Sequence, residues 1–245
     1  MTNNSGRTKA EEIASKLYQM MESGDFKESR QLPPENKLAA LMGVSRPVIR
    51  EALCRLEKNG FVSRKHGIGT IINHHVIRLK NRMDMEKEFE SMVREAGFEP
   101  GIKYSITEIR SAYASTADKL WIREGDEIII NERVITADDK PVILCKDCIP
   151  RDTTELSSLR EEDAKALYQY LVGQMELDVH TCLTEISAEV ADEDLSLKME
   201  VPLGTPLLKM TEVGYDQLCE PVITSIMYYV NGYLKTSLLR RRNRK

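Results

Sequence analysis

The chain has 245 residues, 41% of them hydrophobic and 30% charged, with a formal net charge of −4. That length can bury two small cores or one large one. No apolar run approaches the ~18 residues of a membrane span, the polar start MTNNSGRTKAEE lacks the apolar stretch of a secretory signal, and five cysteines without such a signal read as reduced thiols of a cytoplasmic protein rather than a disulfide framework.

A first helix is predicted over about Thr8–Ser23, where Ile13, Leu17, Met20 and Met21 recur on one face. SGD at 23–25 stops it. LPPE at 32–35 introduces a second helix, with proline where the first turn has no amide to satisfy. Leu38, Ala39, Leu41 and Met42 form its apolar stripe, and Gly43 ends it through a positive φ. Ser45 is placed to cap a third helix. Around that helix Val48, Ile49, Ala52, Leu53 and Leu56 fall in one arc; Arg46, Pro47, Arg50, Glu51, Cys54 and Lys58 fall in the other. Asn59-Gly60 closes it, and FVSRK and TIIN read as two short strands around HGIG. Helix, helix, turn, helix, hairpin is the order of a winged helix-turn-helix, expected over residues 1–75.

HHVIRLKNRMD (74–84) has no clear period and reads as a linker, with His74 and His75 solvated. A helix from about Asp84 to Ala96 follows, closed by Gly97, so that 76–98 connects the two parts. From there to 245 the pattern becomes that of strands. KYSITEIRSAY, DEIIINERVITAD, KPVILCKDCIP, DVHTCLTEISAEVA, TPLLKMTEVGYD and EPVITSIMYYV are six candidates, with turns such as Asp138-Asp139 and Asp216-Gln217. Helices fit at about 116–123, 161–174 and 192–199. The expected fold class is α+β: a winged helix-turn-helix joined to a C-terminal domain built on an antiparallel sheet.

The charge is divided unevenly. Residues 1–75 carry 12 Lys and Arg against 8 Asp and Glu, while 76–245 carry 23 against 31, five of those 23 in the final RRRNRK. A basic first part in an acidic chain points to a polyanion partner. Arg46 and Arg50 lie one turn apart at the end of the helix that enters a major groove, where arginine can take guanine O6 and N7 together. Ser45 and the helix's first amides suit a phosphate oxygen. In the hairpin, Arg64, Lys65, His66 and Thr70 supply polar groups, and Gly67 and Gly69 let the backbone approach the duplex. Solvated surface charge is the competing account of Arg46 and Arg50; the agreement of caps, turns and glycines with one architecture weighs against it.

LPPENKLAALMGVSRPVIREALCRLEKNGFVSRKHGIGT closely resembles the DNA-binding domain of GntR-family transcriptional regulators. Residues 104–239 resemble the effector-binding (UTRA) domain of its HutC branch, related in fold to chorismate lyase, through NERVITADDKPV, ALYQYL, TEISAEVAD, VPLGTPLL, EPVITSIMYYVNGYL and LLRRR. The resemblance implies a homodimer, a double-stranded operator of two-fold character, and a small metabolite that changes DNA affinity. By match to the family motif, Ser45, Arg46, Arg50, His66 and Gly67 are the implied DNA contacts. Two positions depart from it. Asn36 stands where many members have an arginine, and Pro47 stands where threonine is common, which removes a phosphate donor and biases Arg46 away from helical geometry.

The effector side departs further. Sugar-phosphate-binding members often have Arg-x-Arg where this chain has Arg133 and Ile135, and glutamates where it has Cys145 and Ile223. Arg133 and Tyr168, with Tyr229, remain as candidate ligand contacts, which implies a ligand less polar than an aminosugar phosphate, or one with a single anionic group. An internal salt bridge is the competing account of Arg133. Cys145 and Cys148 have CxxC spacing, but three positions along a strand they face opposite ways, and no second CxxC accompanies them. A metal- or thiol-responsive regulator and a lyase-like enzyme are therefore the alternatives to a metabolite-controlled repressor. No nucleophile–base pair, metal cluster or phosphate-cradling glycine loop stands out, so no cofactor, metal or enzymatic activity is expected.

Overall fold

The computed structural model describes residues 8–85, 87–151 and 179–240, and divides into two compact units: 8–85 with 236–240, and 87–235.

In the first unit, helix α1 (Lys9–Glu22) starts with a capping box between Thr8 and Glu11 and buries Ile13, Leu17 and Met21. Helix α2 (Glu35–Met42) ends at Gly43, whose φ of 63° is the left-handed turn expected of it. Helix α3 (Arg46–Lys58) buries Ile49, Ala52, Leu53 and Leu56. Leu17, Leu38, Ile49 and Leu53 interlock at the centre of this core, so truncating any of them to alanine would cost about 2–5 kcal/mol. Strands β2 (Val62–Lys65) and β3 (Gly69–Ile72) form the wing, and the two-residue strand β1 (Gln31–Leu32), too short to register as a periodic pattern, pairs with β3 to complete a sheet. Leu41 departs from expectation and is 57% exposed. Leu38, Ala39 and Met42 turn to the core, and at about 100° per residue Leu41 falls more than a quarter turn from the centre of that arc.

The segment expected to be a linker packs on this core. Helix α4 (His74–Ile77) buries Val76 and Ile77, and His74 Nε2 lies 2.8 Å from the Ser29 carbonyl rather than in solvent. The last described residues also return here. Ser237 pairs with the backbone of Asn81 and Met83, and Leu239 packs against the core. The basic tail beyond Arg240 lies outside the described residues.

The second unit opens with helix α5 (Phe89–Ala96), which starts five residues later than the sequence pattern predicts. All six expected strands form one antiparallel sheet: β4 (Pro100–Ser111), β5 (Glu127–Ala137), β6 (Lys140–Pro150), β7 (Thr181–Val190), β8 (Pro206–Tyr215) and β9 (Pro221–Val230), in the order β4-β5-β6-β9-β8-β7. The β5–β6 turn places Asp138 and Asp139 at φ 48° and 63°, the left-handed pair a tight hairpin requires. Helix α6 (Ala114–Leu120) stops where Trp121 turns left-handed, and helix α7 (Glu193–Met199) starts at the Asp192 cap. Both pack on one face of the sheet, over Ile128, Ile130, Val134 and Leu144. Phe89 of α5 lies against the other face, beside Tyr229 and Arg133. The helix expected at 161–174 lies outside the described residues.

Candidate nucleic-acid interface and effector site

Ser45 takes the extended N-cap position of α3, but its hydroxyl makes no cap hydrogen bond and stays available to an external acceptor or donor. Arg46 is the first helical residue in spite of Pro47, because Pro47 lies in the first turn, where a missing N–H forfeits no intrahelical hydrogen bond. Arg46 and Arg50 both point outward, with side chains more than half exposed. They converge on one carboxylate oxygen: Glu35 Oε2 lies 3.1 Å from Arg50 Nη2 and 3.9 Å from Arg46 Nη2. Glu35 lies in the first turn of α2, 15 residues before Arg50, so no local pattern in the sequence signals this contact.

The wing divides the remaining candidates. Lys65, His66 and Gly67 are exposed at its tip. Gly67 (φ 75°) and Gly69 (φ 112°) hold left-handed conformations that side chains resist. Ile68, not singled out by the sequence, is 56% exposed between them. Arg64 points the other way: its backbone amide and Nε donate to the Glu57 carboxylate at 2.8 Å, and Nη2 lies 3.1 Å from Cys54 Sγ. The bond to Glu57 raises its pKa. This guanidinium joins the wing to α3. Thr70 is half-buried within β3, opposite Arg64.

In the second unit, Arg133, Cys145, Ile223 and Tyr229 occupy one face of the sheet, the face against which Phe89 rests. Tyr168 lies outside the described residues. Arg133 has an internal partner. Its Nη1 donates to Asp147 Oδ2 at 2.5 Å and to Asn131 Oδ1 at 3.0 Å, and its guanidinium stacks 5.4 Å from the Phe89 ring centroid. Ser225 Oγ donates to Asp147 Oδ1 at 2.6 Å, and Cys145 Sγ lies 3.3 Å from the same atom. Burial, reinforced by Asp147, raises the Cys145 pKa, and burial raises that of Tyr229, so both stay protonated at neutral pH. Ile135 is buried where a second arginine would stand. Cys148 faces the opposite side, in the core under α6, and burial pushes it up to about 11. Cys145 and Cys148 therefore cannot share a metal or a disulfide in this sheet, and among the described residues no three His, Cys, Asp or Glu groups converge as metal ligands. Among those residues no helix is long and apolar enough to cross a membrane. The sequence reading missed Asn131, Asp147 and Ser225. Their only local signal is polarity in phase with buried strand positions.

A winged helix with an arginine pair on its recognition helix, followed in the same chain by a sheet with buried polar groups, defines a ligand-controlled DNA-binding regulator. The sequence matches the bacterial regulatory proteins of the gntR family over residues 9–72 and the UTRA domain over residues 95–234. The chain belongs to the GntR family of transcriptional regulators, in its UTRA-containing class. It is 27% identical over 205 residues to the probable transcriptional regulator PhnF of Escherichia coli strain K12, covering 82% of each chain. It is 23% identical over 216 residues to a probable fructoselysine utilization operon transcriptional repressor of Shigella flexneri, covering 88% of each. The crystal structure of YydK from Bacillus subtilis, a possible transcriptional regulator, superposes with a TM-score of 0.72 at 17% identity, over 97% of this chain and all of that one, and so shares the fold.

Proposed function

We propose that the protein is a cytoplasmic, homodimeric repressor that binds an operator of two-fold character and is released from it by a small metabolite. The observation that carries this reading is the convergence of Arg46 and Arg50 on Glu35 at the exposed N-terminal end of α3, which presents two guanidiniums in fixed register. A single winged unit reads one half-site, and a dimer supplies the second. The wing contributes Lys65, His66, Gly67 and Gly69 to the backbone, and the Ser45 hydroxyl a phosphate contact. Pro47 and Thr70 shape these contacts rather than making charged ones, and Arg64 holds the wing in place. The metabolite seats on the sheet face that carries Arg133, Cys145, Ile223 and Tyr229, with Tyr168 as a further contact. An anionic group on it would share the Arg133 guanidinium with Asp147.

Selection from randomised duplexes yields the operator, and titration at one fixed salt concentration measures it. Arg46→Ala and Arg50→Ala should each weaken operator binding by about 1–3 kcal/mol and relax one base position per half-site. Unchanged selectivity in both variants would overturn the assignment. A small-molecule extract of the source cells, added to the operator complex, should release the DNA.

A further inference from the structure

The register of the sheet aligns one polar residue from every strand. Thr107 of β4 faces Asn131 of β5, Asn131 faces Asp147 of β6, Asp147 faces Ser225 of β9, Ser225 faces Glu212 of β8, and Glu212 faces Thr184 of β7. Directly opposed residues share a face, and this is the face of Arg133 and Tyr229. The rows on either side are mainly apolar. Ile109, Ile129 and Ile149 flank one end, and Met227, Met210 and Ile186 the other.

A polar row set among apolar ones costs desolvation unless each group is bonded. On the β4–β6 side the row is satisfied. Asn131 Nδ2 donates to Thr107 Oγ1 at 2.8 Å and to Ser105 Oγ at 3.0 Å, its Oδ1 accepts from Arg133, and Asp147 accepts from Arg133 and Ser225. On the β8 side the row is half-open to solvent and its carboxylate is bonded less fully. Glu212 accepts one side-chain hydrogen bond, from Thr184 Oγ1 at 2.5 Å, and makes no ion pair among the described residues. A carboxylate has room for about four donors. The positive charge of Arg133 is met by Asp147, so the described part of the row carries one carboxylate in excess.

We infer that Glu212 is a ligand-binding residue and that the effector carries a protonated nitrogen, an ammonium or amidinium group, which pairs with it. A hydroxyl would supply a hydrogen bond but leave the charge unmatched; a cation supplies both. The apolar rows beside it suit a short methylene chain. The inference rests on the reading that this face takes the effector, and adds the charge that the effector must bring.

The test uses the full-length protein and three probes of equal length: butylammonium, butyrate and butanol, each at matched ionic strength. Binding is followed by chemical-shift changes and thermal melting. Butylammonium should bind the wild type in preference to the other two, and E212Q, which keeps the Thr184 hydrogen bond, should bind it roughly tenfold or more weakly. T184V, a half-buried change on the edge strand β7 that leaves the Glu212 charge in place, should retain the preference. E212Q should melt at or above the wild-type temperature, because an unmatched carboxylate is removed; a side chain with a purely structural role would melt lower. Equal butylammonium binding by wild type and E212Q, or no preference for it over butanol, would overturn the inference. The parent reading fails separately, when no extract fraction releases the operator. If anionic fractions alone release it, the reading stands and the inference falls.

Discussion

Glu35 is the residue whose change would most directly separate affinity from specificity. It holds Arg50 at 3.1 Å and Arg46 at 3.9 Å on the surface proposed above to meet DNA. Exposed pairs of this kind contribute up to about 1 kcal/mol, so Glu35→Gln should leave folding nearly unchanged. It removes a negative charge facing the phosphates and frees two guanidiniums. Binding to random duplex should therefore tighten about two- to fivefold, while the ratio of operator to random binding falls. Filter binding or fluorescence anisotropy at two salt concentrations checks both. A second expectation at this scale concerns pH. Burial raises Cys148 from 9.0 to about 11, and raises Cys145 as well. The unfolded thiols ionise first as pH climbs, so the stability these groups contribute is full below pH 9 and is lost as pH rises through 11. Urea melts at pH 8 and pH 10.5 should show a loss of about 1–2 kcal/mol from Cys148, abolished in Cys148→Ala, with Cys145 acting in the same direction.

Among elements, the segment after the wing is the one whose sequence and structure differ most. Its polarity suggests a solvated linker, yet Arg82 is buried within the first unit. Nη1 donates to the Asn59 carbonyl at the C-terminal end of α3 at 2.7 Å, the guanidinium lies 5.2 Å from the Phe61 ring centroid, and Asp84 pairs with it. A cation at a helix C-terminus meets the negative end of its dipole. Arg82→Ala should destabilise the winged unit by about 1–3 kcal/mol, since it removes a buried guanidinium whose partner Asp84 stays in contact with solvent and leaves a carbonyl unbonded. Its neighbour should behave oppositely. Asn81 is buried at φ 48°, and its side-chain amide makes no hydrogen bond among the described residues. Asn81→Gly should be neutral or stabilising by up to about 1 kcal/mol, because glycine accepts that conformation and no polar group is left orphaned. Chemical denaturation of the two variants side by side measures the contrast.

For the whole molecule, control of DNA binding is a coupling between two sites, and coupling is reciprocal. Effector should weaken operator binding by about 1–3 kcal/mol, and operator should weaken effector binding by the same factor. Sedimentation of the full-length chain at micromolar concentration should give a dimer, and calorimetry with and without operator DNA checks the reciprocity. Much of this organisation was legible in the sequence. Caps, glycine turns and periodicity act within a few residues, so the order of helices, the wing, the six strands and the opposed facing of Cys145 and Cys148 follow from local rules. The convergence of Arg46 and Arg50 on Glu35, the return of Ser237 to Asn81 and Met83, and the alignment of Asp147, Ser225 and Glu212 in one row do not. Each brings together residues far apart in the chain, and strand register is set by packing across the whole sheet. Sequence by itself thus determined most of the elements and the facing of most strand and helix residues, Leu41 and His74 excepted; only the tertiary structure decided which polar groups meet, because a hydrogen-bond partner is chosen by distance in space and not by distance along the chain.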